Sequence, residues 1–412
     1  MKVNEIASQI RDRIPVSAIR AEDYVSTDNM RPNFGGIEKS LILPPSGTVT
    51  AFQTDDILLS NIRPYFRKTW LATHSGGCNA DVLCIRANPN KCIPKYLYYL
   101  FTTDNFVMDY LKSCKGAKMP RGDVQRLLDY EFDLPDLPTQ LRIAGILGSL
   151  DEKIELNRKK IAELEALAKT IYDYWFVQFD FPDKNGKPYK SSGGKMVWNE
   201  KLKREIPAGW EVKPLEKACK RIQSGGTPES NNEAFYSGDI PWFTTQELID
   251  SWVFCSNRSI TKSALENSAA KLFPPDTVLL AIYAAPTVGR LAILAKESAL
   301  NQACCGFVVG DDISKEYLFL FLYENRNKLN SIADGTAQKN LSVGKMRMFD
   351  VLIPTGEIMT LWRNIAEPLF DAIRTDSETA HILSRQRDAL LPLLMNKQVS
   401  VGELKLTSTG NL

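Results

Sequence analysis

Residues that could perform acid–base, metal or nucleophilic chemistry are few in this sequence and poorly spaced for it. The two histidines, His74 and His381, lie far apart, which argues against an imidazole metal site or a histidine acid–base pair. The eight cysteines, Cys78, Cys84, Cys92, Cys114, Cys219, Cys255, Cys304 and Cys305, include no C-x-x-C pair, so a zinc ribbon fails on spacing. No G-x-G-x-x-G or G-x-x-x-x-G-K-[ST] run is present to cradle a nucleotide. The Pro-Pro pairs after Leu43 and Phe273 lack the Asp or Asn and the aromatic neighbour that a DNA methyltransferase needs. A nuclease pattern can be assembled from Pro182-Asp183 and Glu211-Val212-Lys213, but it places the aspartate in a linker and arises easily by chance. Gly225-Gly226-Thr227-Pro228 has no phosphate-binding lysine after it, and a tight turn is expected there.

What remains suits recognition of a polyanion. Phosphates are contacted by Lys and Arg, and base edges by Arg, Asn, Gln, Ser and Thr. Arg63, Arg67 and Lys68 surround a turn, and Lys112, Lys115, Lys118 and Arg121 form a basic run. In the second half Lys339, Lys345 and Arg347 occupy the equivalent run, and Thr244, Thr245 and Gln246 follow the aromatic pair Trp242-Phe243. The whole chain carries 51 Lys plus Arg against 49 Asp plus Glu, a net charge of +2. That balance argues against nonspecific polyanion binding driven by bulk charge, but not against local basic surfaces.

The elements that must position these groups come from a repeat. Gly116–Pro135 aligns without gaps on Gly335–Pro354, and upstream Asp55-Asp-Ile-Leu-Leu aligns with Asp276-Thr-Val-Leu-Leu. Tyr96-Leu97 matches Tyr317-Leu318, and Asn79 matches Asn301. Each repeat mixes short strands and turn clusters with an apolar helical stretch, from Lys95 in one and Lys315 in the other, which is an α+β pattern. At 412 residues the chain is long enough for about two to three domains at roughly 150 residues each.

Each repeat runs into a helix with apolar residues spaced four and three apart. The first seam is Ile143, Leu147, Leu150, Ile154, Asn157, Ile161, Leu164, Ala168, Ile171 and Trp175. The second is Trp362, Ala366, Leu369, Ile373, Asp376, Ala380, Leu383, Arg387, Leu390 and Leu394. One such seam per helix is what two helices need to pair as a coiled coil, and Asn157 and Asp376 recur as a polar break able to fix register. Pro368 predicts a kink or a late helix start near 366–369, and Pro392 a fraying end. The first helix, at about 33 residues, would extend roughly 50 Å, against about 34–36 Å between DNA half-sites one turn apart. Pro182–Met196, rich in Gly, Lys, Ser and Pro, is expected to be an exposed connection, with Ile206 entering the second domain.

At this point the residues carry a resemblance. Leu134 to Phe176, with its LPTQLRIAGILGSLDEKIELNRKKIAELEALAKTIYDYWF run, resembles the central helix of specificity subunits of Type I restriction–modification systems. Phe181–Trp210, Ile222-Gln-Ser-Gly-Gly-Thr-Pro and Asp334-Gly-Thr-Ala-Gln-Lys-Asn-Leu-Ser resemble the linker and recurring segments of that family. Two departures stand out: the second helix is a looser match, and Gly116-Ala-Lys-Met-Pro-Arg-Gly-Asp replaces the polar run found at Gly335.

The resemblance implies an α+β fold of two pseudo-repeated α/β target recognition domains separated by two long antiparallel coiled-coil helices. The boundaries expected are residues 1–137 and 206–356 for the recognition domains, 138–178 and 357–397 for the helices, 179–205 for the linker and 398–412 for a tail. It implies a non-catalytic, cytoplasmic, DNA-binding subunit. Each recognition domain would read one half of an asymmetric split target in double-stranded DNA, and the helices would set the spacing. Its partners would be methylation subunits, two of them, and restriction subunits, with no membrane, and the basic run around Gly116 could equally touch a methylation subunit. No cofactor is expected in this chain; S-adenosylmethionine, ATP and magnesium would belong to the partners. The alternative is a coiled-coil scaffold that does not bind DNA. The absence of an apolar leader and of long apolar runs favours a cytoplasmic setting with reduced thiols.

Overall fold

The computed structural model describes residues 1–116, 118–283, 286–333 and 340–399. Contacts divide the chain into two compact units, residues 1–155 with 381–412, and residues 156–380.

In the first unit the main sheet runs Ala7–Ile10, Val82–Ala87, Ile57–Ser60, Thr69–Leu71, antiparallel throughout. In the second it runs Cys219–Ser224, Cys304–Val309, Val278–Ala281, Leu291–Leu294, Ser251–Val253, with only the last pair parallel. The central strands are apolar at successive positions because both of their faces are covered. Ile57 and Leu59 pack with Tyr96, Leu97 and Phe101, whereas Leu58 faces Phe52, Trp70 and Cys84. Val278 and Leu280 likewise face Tyr317 and Leu318, whereas Leu279 and Ala281 face Phe243, Phe273 and Leu300. A smaller four-stranded sheet accompanies each main one: Arg13–Pro15, Thr48–Phe52, Gly76–Cys78, Tyr24–Val25 in the first unit, and Ser259–Ile260, Ile240–Phe243, Ser298–Leu300, Leu272–Phe273 in the second.

The repeat is visible in backbone punctuation as well as in strand order. Asp55 and Asp276 both adopt left-handed conformations, with φ of 70° and 66°, and their N–H groups donate to Ala72 O and Leu294 O at 2.9 Å each. Asn79 and Asn301 donate their N–H groups to Val25 O and Phe243 O. Asp123 and Ser342 cap the short helices Val124–Leu128 and Val343–Arg347 through their side chains.

The central helix spans Leu137–Tyr172 and the C-terminal helix Gly356–Met395. Within each unit the helix segments pair antiparallel. In the first, Ile143, Ala144 and Leu147 share a core with Leu394 and Met395, while Asp151 meets Arg387 at 2.9 Å. In the second, Tyr172 and Trp175 pack on Trp362, while Lys160 meets Asp376 at 2.8 Å. Leu147, Ile154 and Ile373 are fully buried, whereas Leu150, Asn157, Ile161, Leu164, Ile171, Leu383 and Leu390 are half-buried. The polar seam positions Asp376 and Arg387 are thus occupied by cross-helix ion pairs.

Two expectations are corrected. The C-terminal helix starts at Gly356 and passes Pro368 without interruption. Pro368 is exposed, while Ala366 and Phe370 on either side are buried, and their packing offsets the roughly 3 kcal/mol that an interior proline costs. The α-helical register of the first seam ends before Trp175, because Asp173–Val177 forms a π turn in which Gln178 N–H donates to Asp173 O. The connection Pro182–Met196 is exposed or half-buried throughout, as expected, and contacts at its two ends hold it. Phe179 and Phe181 are buried, Phe181 stacks on Trp210, Asp180 accepts from the Ser191 N–H and hydroxyl, and Met196–Asn199 pairs with Arg204–Pro207.

Candidate nucleic-acid interface

In the first unit a strained turn and a basic hairpin are built side by side. The helix Asp104–Lys112 ends next to a bridge in which Lys115 and Arg121 exchange backbone hydrogen bonds of 2.9 and 3.0 Å. Ile62 bridges Arg121, the Arg63 N–H donates to Pro120 O at 2.8 Å, and the Gly122 N–H donates to Asn61 O at 3.0 Å. Position 122 must be glycine, since a Cβ there would lie 2.1 Å from the Tyr110 ring, whose hydroxyl donates to Asn61 Oδ1 at 2.5 Å. Burial pushes the Tyr110 phenol up, so it remains a hydrogen-bond donor.

The turn itself, Pro64–Phe66, is flanked by Arg63 and Arg67, both left-handed at φ of 47° and 53°. Such conformations are costly for residues with a side chain and cluster where function needs them. The turn is held by Asn33 and Phe34, also left-handed, whose N–H groups donate to Phe66 O and Arg67 O.

The expected contact residues of this unit fall into two sets. Arg67 pairs with Asp104 at 2.6 Å, Lys68 donates to Thr27 O at 2.6 Å, and Arg121 pairs with Asp81 at 2.7 Å. Lys115 and Lys118 are exposed, and no ion pair engages them or Arg63 among the described residues. Arg63 Nε is buried and lacks a hydrogen-bond partner there. The same turn exposes an aromatic pair absent from the sequence-based expectation: Tyr65 and Phe66 are 49% and 41% exposed, with centroids 4.7 Å apart. The available signal was aromatics interleaved between arginines.

The second unit spends its expected residues differently. The Thr244 hydroxyl bonds to Glu247 Oε2 at 2.8 Å in a capping box, and Thr245 is buried, so only Gln246 of that trio is exposed. This corrects the expectation that all three present polar groups from a loop; a buried aromatic strand pulls the first two inward. Lys345 donates to Ile332 O at 2.7 Å, and Arg347 to Ile222 O at 2.9 Å. Lys339 lies outside the described residues. Gly225 and Gly226 donate their N–H groups to Cys304 O and Leu300 O, and Thr227 bonds to Gln302 on the exposed rim.

The nuclease pattern is not assembled. Asp183 accepts the N–H groups of Asn185 and Lys187 in its own turn, and Lys213 is held by Glu211 at 2.9 Å and Asp312 at 3.4 Å. All eight cysteines are free thiols, and burial pushes Cys78, Cys92, Cys219 and Cys305 up to about 12. No group of three or more metal-ligating side chains occurs among the described residues. No described helix is long and apolar enough to cross a membrane.

Comparison with known proteins adds to this geometry. A family model described as the Type I restriction modification DNA specificity domain matches residues 45–166 and 207–385. The chain is similar to the MjaIX specificity subunit of Methanocaldococcus jannaschii, at 27% identity over 318 residues, covering 76% of this chain and 70% of that protein. It is also similar to the HindI specificity subunit of Haemophilus influenzae, at 24% identity over 414 residues, covering 86% and 89%. In fold it resembles the crystal structure of a Type I restriction–modification system S subunit from M. genitalium. That match has a TM-score of 0.59 at 14% identity, with 96% of this chain and 95% of that chain covered.

Proposed function

The chain belongs to the family of Type I restriction–modification DNA specificity proteins, and from that premise we propose how it divides the work of recognition. Each unit reads one half of a split, asymmetric duplex target. The two long helices set the separation of the halves and carry methylation subunits, two of them, with restriction subunits joining the same complex. The chain itself is not a catalyst: S-adenosylmethionine is held by the methylation subunits, and ATP and magnesium by the restriction subunits. The complex works in the cytoplasm.

The observation that carries this reading is the repeated architecture, in which unlike surface residues sit on a shared backbone plan. Shared punctuation at Asp55 and Asp276 keeps the two frames alike, while exposed Lys115 and Lys118 in one unit and Gln246 and Thr227 in the other supply different chemistry. A scaffold without DNA contact would have no use for a cationic hairpin pinned to a strained turn.

The test uses the complex reconstituted with its methylation subunits. Mapping the methylated bases of the host genome defines the split sequence, and duplexes carrying it or a scrambled version are compared at moderate salt. The intact target should bind about a thousandfold tighter or more. Equal affinity for both duplexes would defeat the proposal, because phosphate contacts alone give no sequence preference.

A further inference from the structure

We propose that the Tyr65–Phe66 turn is the element of the first unit that makes apolar contact with DNA bases, with Lys115 and Lys118 beside it holding the phosphates. The inference rests on the DNA-reading function above and names the side chains that carry it in one half of the target.

Four observations converge on this turn. Its rings are exposed although they are aromatic, and they lie within 5 Å of one another, centroid to centroid at 4.7 Å. Nothing in the unit's own core requires that exposure, since the neighbouring Pro64 is buried and anchors the turn from below. The turn is rigid: it is clamped between two left-handed arginines and by the amides of Asn33 and Phe34. A rigid aromatic pair loses little conformational freedom when it binds.

The charge around the rings selects the partner. The hairpin is joined to the turn through the Ile62–Arg121 bridge and the Arg63 N–H to Pro120 O bond. Its acidic neighbours Asp81 and Asp104 are consumed by Arg121 and Arg67. Lys115, Lys118 and Arg63 are left without an anionic partner among the described residues. An apolar protein partner would be matched by an apolar rim. Aromatic rings within a cationic rim match a nucleic acid, which offers base faces and edges between phosphates, and apolar side chains set against base steps are an established way of engaging a duplex.

The matching turn of the second unit shows no such exposed pair among its described residues, and Tyr283 there is partly buried against the core. The position matching Arg67 is Gly289, left-handed at φ of 88°, and Pro286–Gly289 contains no aromatic residue. The contact is therefore specific to the first half of the target.

The experiment is selection from a randomised duplex library by the complete complex, with wild-type chain and with Tyr65→Ala, Phe66→Ala and Phe66→Leu. Wild type should recover a two-part motif. Tyr65→Ala and Phe66→Ala should blur the half read by the first unit while leaving the other half intact. On the wild-type motif they should bind about tenfold weaker with an unchanged salt slope, because a neutral ring releases no counterions. Phe66→Leu should retain most of the preference. Lys115→Ala and Lys118→Ala should instead lower the slope by about one each and weaken all sequences alike. Alanine variants that fold, shown by wild-type hydrogen-exchange protection of Ile57–Ser60, and recover the wild-type motif with wild-type affinity would overturn the aromatic contact alone. A wild-type complex that recovers no motif would overturn the DNA-reading function and the contact with it.

Discussion

The two units place opposite chemistry on the same backbone. At the start of the central strand the first unit buries Asp56, whose carboxylate accepts from Arg86 at 2.7 and 2.8 Å and from the Gln53 N–H at 2.9 Å. The matching position in the second unit is Thr277, equally buried, and its hydroxyl donates to Pro274 O at 2.7 Å. Three positions change together. Gln53 has an N–H to satisfy, while its counterpart Pro274 has none. Asp56 becomes Thr277, and Arg86, across the ladder by the same register, becomes Val308. The turn beyond the strand shows a similar exchange: Arg67 pairs with Asp104 in one unit, whereas in the other Gly289 lies against Arg326, which pairs with Asp250. The lesson is that backbone conformation is the retained property, while the charges that satisfy it are replaced in coordinated sets.

The comparison breaks hardest at Asp56. Arg86→Ala would leave a buried carboxylate without its cation and should destabilise the first unit by about 3–5 kcal/mol. The double change Asp56→Thr with Arg86→Val imports two of the second unit's three changes and leaves the Gln53 N–H facing the new hydroxyl; it should recover most of that loss because a neutral pair has no ionic desolvation to offset. Hydrogen exchange resolved by peptide reads this directly, since protection of Ile57–Ser60 should fall in the single variant and return in the double. If the single variant keeps its protection, the pair is dispensable and the coordinated exchange is coincidence.

Much of this was legible in the sequence because it depends on spacing. The gapless alignment of Gly116–Pro135 on Gly335–Pro354, the four-three seams and the matched Asp55 and Asp276 all express periodicity and turn chemistry, which survive at low identity. What was not legible depends on which partner a side chain finds in three dimensions. Thr244 and Thr245 look like loop residues free for contact, yet one is a cap and the other is buried. Lys345 and Arg347 form a basic run in sequence, yet each is tied to a backbone carbonyl. Pro368 marks a break by local rules, and packing of its neighbours overrides them. Tyr65 and Phe66 stand between arginines in the sequence, but only the folded turn shows that both rings are held outward.

The cross-helix ion pairs sharpen the comparison at intermediate size. Arg387 meets Asp151 where both are mostly buried, and Tyr99 donates to the same carboxylate at 2.6 Å. Burial works against the charge on Arg387, and the bonds to Asp151 and Asp388 outweigh it, so its pKa rises overall. Lys160, which meets Asp376 in the second unit, is 57% exposed. Arg387→Ala should therefore cost about 1.5–3 kcal/mol, the worth of hydrogen bonds to a charged group, whereas Lys160→Ala should cost less than about 1 kcal/mol. Urea unfolding of each variant, followed by exchange in the two units, separates the cases. Equal losses would mean that exposure does not govern the value of these pairs.

The smallest effect concerns Glu165 on the central helix in the second unit, whose counterpart on the C-terminal helix in the first unit is the uncharged Ser384. Glu165 lines an apolar cleft with Ile249, Trp252 and Phe370, and its Oε1 accepts from the Ser251 hydroxyl at 3.4 Å. Desolvation by that wall raises its pKa; Ser251 lowers it in part, and Asp250 adds to the rise. An acid with a raised folded pKa binds its proton more tightly in the native state than in the unfolded chain. Stability is therefore highest below the ordinary carboxylate range and falls as pH rises through the raised value. Part of the side chain remains in solvent, so screening limits the effect to a few tenths of a kcal/mol. Glu165→Gln should match wild type at low pH and be slightly more stable at neutral pH, with no corresponding change in the exchange of the first unit. A variant less stable than wild type at neutral pH would show that the ionised carboxylate is held by a favourable partner, and that the uncharged residue at the matching position of the first unit answers a different local need.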